Sequence, residues 1–111
     1  MDVVQYQSTM SVELTTETAS LEDVLHALSD PVRLRIVATL AESGELACGG
    51  VDVPVTKSTC THHFRVLREA GVITQRQVGT TRLNSLNRAE LDARFPGLLD
   101  TILHAAVADG A

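Results

Sequence analysis

The chain has 111 residues, 44% of them apolar and 3% aromatic, with a formal net charge of -5. This suits one domain with a modest core of Leu, Val, Ile and Ala. There is no apolar run near the ~20 residues of a membrane span and no basic, apolar leader, so the expectation is a cytoplasmic protein without a membrane partner. Its two cysteines, Cys48 and Cys60, make no secreted-type framework and are read as reduced thiols.

Charge is distributed unevenly. Residues 1 to 55 hold two Arg against nine acidic side chains, and residues 83 to 111 hold two against four. Between them, Lys57, Arg65, Arg68, Arg76 and Arg82 face Glu69 alone. An acidic body with one basic segment suggests a local surface for a polyanion, with repulsion elsewhere favouring one docking orientation.

In chain order, residues 1–19 are rich in Ser, Thr and Glu without sustained periodicity and are expected to form a disordered arm. A folded domain is expected over residues 20–108. Ser20 with Asp23 resembles a capping box before Leu21, Val24, Leu25 and Leu28, which recur at helical spacing. Asp30 and Pro31 fit the N-cap and first position of a second helix, apolar through Leu34, Ile36, Val37 and Leu40. Gly44, Gly49, Gly50 and Pro54 leave room only for a short helix around residues 45–49, then a loop.

Thr56 is the expected N-cap of the next helix, and Gly71 its stop. The segment "VITQRQVGTTRLNSL" then reads as two short strands around a turn near Gly79. Asn87 with Glu90 suggests a second capping box for a last helix carrying Leu91, Phe95, Leu98, Leu99, Ile102 and Leu103, which Pro96 should kink or divide. The fold class implied is mostly α with a small β-hairpin.

The segment "KSTCTHHFRVLREAG" carries the chemistry. At about 100° per residue, Cys60, His63, Phe64, Val66, Leu67 and Ala70 share one arc, and Lys57, Ser58, Thr61, His62, Arg65 and Arg68 the opposite one. The adjacent histidines therefore diverge, which is wrong for a metal needing convergent donors. Cys60 should fill a small apolar slot, His63 should be half-buried, and His26 structural or exposed. A Cys60–His63 nucleophilic pair would lie in a packed stripe without an orienting third group, so no enzyme is expected.

A helix followed at once by a basic hairpin is the winged form of helix-turn-helix. Its first turns must offer hydrogen-bonding groups to base edges in a major groove about 12 Å wide. Lys57, Ser58, Thr61 and His62 occupy those turns, and Arg65 and Arg68 suit phosphates. Arg76 and Arg82 flank a hairpin tip of Gly79, Thr80 and Thr81, placed to lie over the backbone or minor groove. A winged helix used for protein–protein contact is the alternative, though such a wing needs no cationic strip.

The runs "ALSDPVRLRIVATLAESGEL", "KSTCTHHFRVLREAGVI" and "RQVGTTRLNSL" closely resemble the ArsR-type (arsenical-resistance repressor) family of bacterial winged-helix regulators, across residues 21 to 106. The resemblance implies a homodimer whose first and last helices pair about a two-fold axis, through Leu21, Val24, Leu25, Leu91, Phe95, Leu98, Leu99, Ile102 and Leu103. It also implies a repressor on double-stranded DNA bearing a palindromic operator. Many members release DNA when a metal or other inducer binds, and a metal-responsive member is the second alternative. The paired cysteines of one family metal site are reduced here to Cys48, and Asp100 with His104 offers only a partial match to another. No metal or other cofactor is therefore expected, and the residues name no inducer.

Overall fold

In a computed structural model, residues 19–110 are described; the expected N-terminal arm lies almost wholly outside them. Five helices and a three-stranded antiparallel sheet form a winged helix-turn-helix. α1 spans Leu21–Ala27 and α2 Pro31–Ser43; β1, Leu46–Ala47, leads into a 3₁₀ turn at Cys48–Gly50. α3 spans Lys57–Glu69, β2 Ile73–Val78, β3 Thr81–Leu86, α4 Arg88–Arg94 and α5 Leu98–Ala108.

The helix starts are those that local chemistry favours. Ser20 Oγ accepts from the Asp23 amide at 3.1 Å while Asp23 accepts from the Ser20 amide at 3.2 Å, closing the capping box. Asp30 accepts from the Val32 amide, with Pro31 following at the first helical position. Thr56 caps α3 through the Thr59 amide. α3 ends at Gly71, whose φ of 78° suits glycine. There the Val72 amide bonds Leu67 O and the Gly71 amide bonds Arg68 O, the paired bonds of a Schellman ending.

α2 runs through the centre, with Ile36, Val37 and Leu40 buried against Phe64 and Leu67 of α3 and Leu99 of α5. Full burial of each such side chain contributes about 2 kcal/mol. Pro96 lies in the break that divides α4 from α5, as its sequence position implies.

Two local expectations are corrected. Residues 45–49 form no short α-helix: Gly49 and Gly50 allow one 3₁₀ turn, and Leu46–Ala47 pairs with β3, giving the sheet order β1-β3-β2. Asn87 makes no cap hydrogen bond at the start of α4. Its ψ of 55° is not extended, and its side-chain amide donates instead to Gly71 O at 3.0 Å.

Two polar side chains hold these elements in register. Buried Asn84, at the middle of β3, donates to Leu46 O at 3.2 Å and accepts from Gln75 Nε2 at 2.8 Å, tying all three strands. Arg33, only 9% exposed, donates Nε to Ala27 O at 2.7 Å, Nη2 to His26 O at 3.4 Å and Nη1 to His63 Nδ1 at 3.0 Å. The guanidinium thus sits at the negative end of α1, satisfies carbonyls left over by its last turn, and reaches α3. Replacing Arg33 by Met should destabilise the fold by about 3 kcal/mol in urea unfolding, because buried acceptors would lose a charged donor; a loss below 1 kcal/mol would show that water replaces it.

Candidate nucleic-acid interface

α3 presents the two arcs that its sequence separates. Cys60, Phe64, Leu67 and Ala70 are buried, and His63 is half-buried. Lys57, Ser58, Thr61, His62, Arg65 and Arg68 are exposed. The two imidazoles diverge, with ring centroids 5.9 Å apart. A guanidinium only donates, so His63 Nδ1 accepts from Arg33 and the ring hydrogen lies on Nε2, 3.9 Å from Asp30 Oδ2. His62, free of that contact, faces outward with the hydroxyls of Ser58 and Thr61. The Thr61 hydroxyl donates to Lys57 O at 3.0 Å, leaving its oxygen as an acceptor.

The wing continues this surface. Arg76, Thr80, Thr81 and Arg82 are exposed, and Gly79, with φ of 62°, turns the chain between β2 and β3. Arg68 donates to Gln75 Oε1 at 3.4 Å, joining the last turn of α3 to the wing. Arg76 does not stand free: it grips Glu45 with Nε at 2.7 Å and Nη2 at 2.8 Å. Those bonds hold the Glu45 carboxyl below its ordinary range and raise Arg76 above its own. Sequence reasoning missed Glu45, because nothing local marks a residue before β1 as the partner of one in β2.

It also missed a thiol pair beneath the reading face. Cys48 Sγ lies 3.5 Å from Cys60 Sγ, and both thiols are free. Burial, with the Cys48 sulfur as a hydrogen-bonding neighbour, pushes the Cys60 thiol from an ordinary 9.0 up to about 11.

The residues expected to pair two chains fall into two groups by burial. Val24, Leu91 and Leu99 are buried within the subunit, where they hold α1, α4 and α5 from inside. Leu21 and Leu25 are exposed, while Phe95, Leu98, Ile102 and Leu103 are partly buried against the core. Asp100 and His104 are both exposed, and Asp100 already accepts from Arg88 at 2.8 Å. Among the described residues, no group of three or more His, Cys, Asp or Glu converges as a metal site. No helix there is long and apolar enough to cross a membrane.

A basic reading helix followed by a basic wing defines a DNA-binding module of the winged helix-turn-helix class. A profile for a helix-turn-helix domain family matches residues 28–76. An uncharacterized helix-turn-helix-type transcriptional regulator, YceK of Bacillus subtilis (strain 168), is 36% identical over 100 residues, covering 87% of this chain and 99% of the relative. Among solved structures, the transcriptional repressor BigR from Xylella fastidiosa superposes with a TM-score of 0.63 at 26% identity, covering 82% of this chain and 86% of that one. A possible transcriptional regulator for arsenical resistance gives 0.54 at 31% identity, over 83% and 99%. The chain belongs to the ArsR-type family of winged helix-turn-helix transcriptional regulators, which bind DNA and are not enzymes.

His62→Ala should leave the unfolding free energy within about 0.5 kcal/mol of wild type, as at other exposed positions, whereas His63→Ala should cost about 1 to 3 kcal/mol by stranding Arg33; equal losses would contradict the helix phase. The Cys60 shift also predicts a pH dependence. A thiol raised in the folded state contributes stability that is fully present below pH 9.0 and lost as pH climbs toward about 11. Unfolding followed across that window should show wild type losing stability that Cys60→Ala does not lose; parallel curves would refute the shift.

Proposed function

We propose that the chain is a repressor that binds a palindromic operator in double-stranded DNA as a homodimer, in the cytoplasm. One observation carries the DNA half of this reading: all ten side chains expected to meet DNA are exposed, on one helix and its wing, within residues 56–82, where Lys57 and four arginines face Glu69 alone. Lys57, Ser58, Thr61 and His62 read base edges from the first turns of α3. Arg65, Arg68 and Arg82 hold phosphates and fix the register, and Thr80 and Thr81 add hydroxyls at the wing tip. Arg76 joins them when a phosphate displaces Glu45. Repression then follows from occupancy, since a dimer seated on a promoter occludes it; the likeness to a named transcriptional repressor supports that direction.

Homodimer formation is supported by apolar surface that one subunit leaves open. Leu21 and Leu25 of α1 are 43% and 44% exposed, and Val107 of α5 is 66% exposed. Between these helices lies an open groove of about 400 Å³ lined by Leu25, Leu28, Leu34, Ile102, Ala105 and Ala106, with Asp109 its one charged side chain. Grouped apolar side chains of this kind mark an association surface. A second copy presenting the same α1–α5 face covers both, giving two reading helices about one two-fold axis, as half-sites in a palindrome require.

Fluorescence anisotropy on DNA from upstream of the protein's own gene, across a salt series, tests the reading. Selective binding is expected, and Arg65→Gln with Arg82→Gln should weaken it and reduce the salt slope by about 2, one for each phosphate left without its arginine. Glu45→Gln should strengthen binding by freeing Arg76. Unchanged affinity in the double variant would remove DNA from this surface and favour a protein partner.

A further inference from the structure

Cys48 opens the 3₁₀ turn before α3 and Cys60 lies in the first turns of α3, yet their sulfurs are in van der Waals contact at 3.5 Å. A disulfide needs about 2.05 Å, so the pair is one short displacement from bonding. The two sites differ in access: Cys60 is buried and Cys48 is only partly buried. We propose that Cys48 and Cys60 form an oxidation site at the base of the reading helix, where a hydroperoxide makes an intramolecular disulfide that lowers DNA affinity. The effect on affinity rests on the DNA-binding reading above; the disulfide itself does not.

The chemistry balances with one peroxide per pair. The Cys48 sulfur, in the less buried residue of the two, attacks the peroxide, whose O–O bond breaks; Cys48 becomes a sulfenic acid, and the departing oxygen leaves as water, or as an alcohol from an organic hydroperoxide. The Cys60 sulfur then attacks the Cys48 sulfur. The S–S bond forms, the S–O bond breaks, and the hydroxide departs as water with the Cys60 proton. With hydrogen peroxide, the two thiols lose two electrons and two protons, and two waters result. Cys60 takes the second step because burial denies it the oxidant and keeps its thiol protonated at neutral pH.

The effect on DNA follows from which side moves. Cys48 is held by the pairing of Ala47 with Leu83 on one side and by buried Val51 on the other. Closing the gap therefore draws the Cys48 turn and the first turns of α3 together, and the part taken up by α3 shifts Lys57, Ser58, Thr61 and His62, exposed on its outer arc. A shift of about 1 Å there breaks hydrogen bonds to base edges, which weaken beyond about 3.2 Å.

The full chain, reduced and then treated with hydrogen peroxide, tests this by peptide mapping of blocked thiols and by anisotropy on the upstream DNA. The expected product has lost two hydrogens and links the Cys48 and Cys60 peptides. Its dissociation constant should rise about tenfold, the worth of one good base contact, and return on adding dithiothreitol. Cys48→Ser should bind DNA like the reduced wild type and ignore peroxide; its less buried position makes it the safer variant to fold, and Cys60→Ser gives the same readout from the other side. Failure to form the linkage, or linkage only between chains, overturns the site. Linkage with unchanged affinity overturns its control of binding. A reduced chain that binds no DNA selectively overturns the DNA reading instead, and the peptide map then decides the oxidation site alone.

Discussion

Arg33 reaches from the start of α2 to the last carbonyls of α1 and to His63 of α3, so three helices meet on a single guanidinium that is only 9% exposed. Removing a cation from water costs several kcal/mol, and only well-placed acceptors offset that cost. The contact therefore selects one arrangement and penalises its neighbours. If α3 turned by one residue, about 100°, His62 would take the place of His63 beside Arg33 and Thr59 would be driven into the buried position of Cys60. Burying a cation here fixes the helix phase that a purely apolar interface would leave softer, and the face offered to a DNA groove is set from behind.

The wing is oriented by a similar device in the backbone. Gly71 ends α3 in a left-handed turn, Val72 and Ile73 are buried at once, and the hairpin leaves from that anchor. Asn87, just after β3, bonds Gly71 O through its side chain and Val72 O through its amide, closing the base of the wing onto the end of the reading helix. Asn84 then locks β1 to the same sheet. Helix and wing are thus tied together at their shared base.

Much of this was legible locally, because caps, glycine stops and helical periodicity act within a few residues. The starts of the first three helices, the end of α3, the hairpin and the inward and outward arcs of α3 all belong to that class. What escaped was contact between distant segments: Arg33 with His63, Glu45 with Arg76, Asn84 with Leu46, and Cys48 with Cys60. None has a periodic signature, and β1 is a strand only because β3 lies beside it. Asn87 shows the reverse failure. Its spacing to Glu90 fits a capping box, but a tertiary carbonyl at Gly71 captured its amide.

The Glu45–Arg76 pair adds a last element to the recognition surface. Both side chains are open to solvent, so their attraction is screened and weakens as salt rises. A phosphate meeting Arg76 must compete with a carboxylate already bound in two places, and Glu45 left unpaired would then repel the backbone nearby. If Arg76 meets a phosphate at every sequence, the exchange costs the same at a random site as at a specific one, so it lowers total affinity and leaves discrimination to the base contacts of α3. An acidic body and a partly neutralised wing thus leave the chain little net positive charge to offer a phosphate backbone, and salt-dependent attraction is confined to the remaining cations of α3 and the wing.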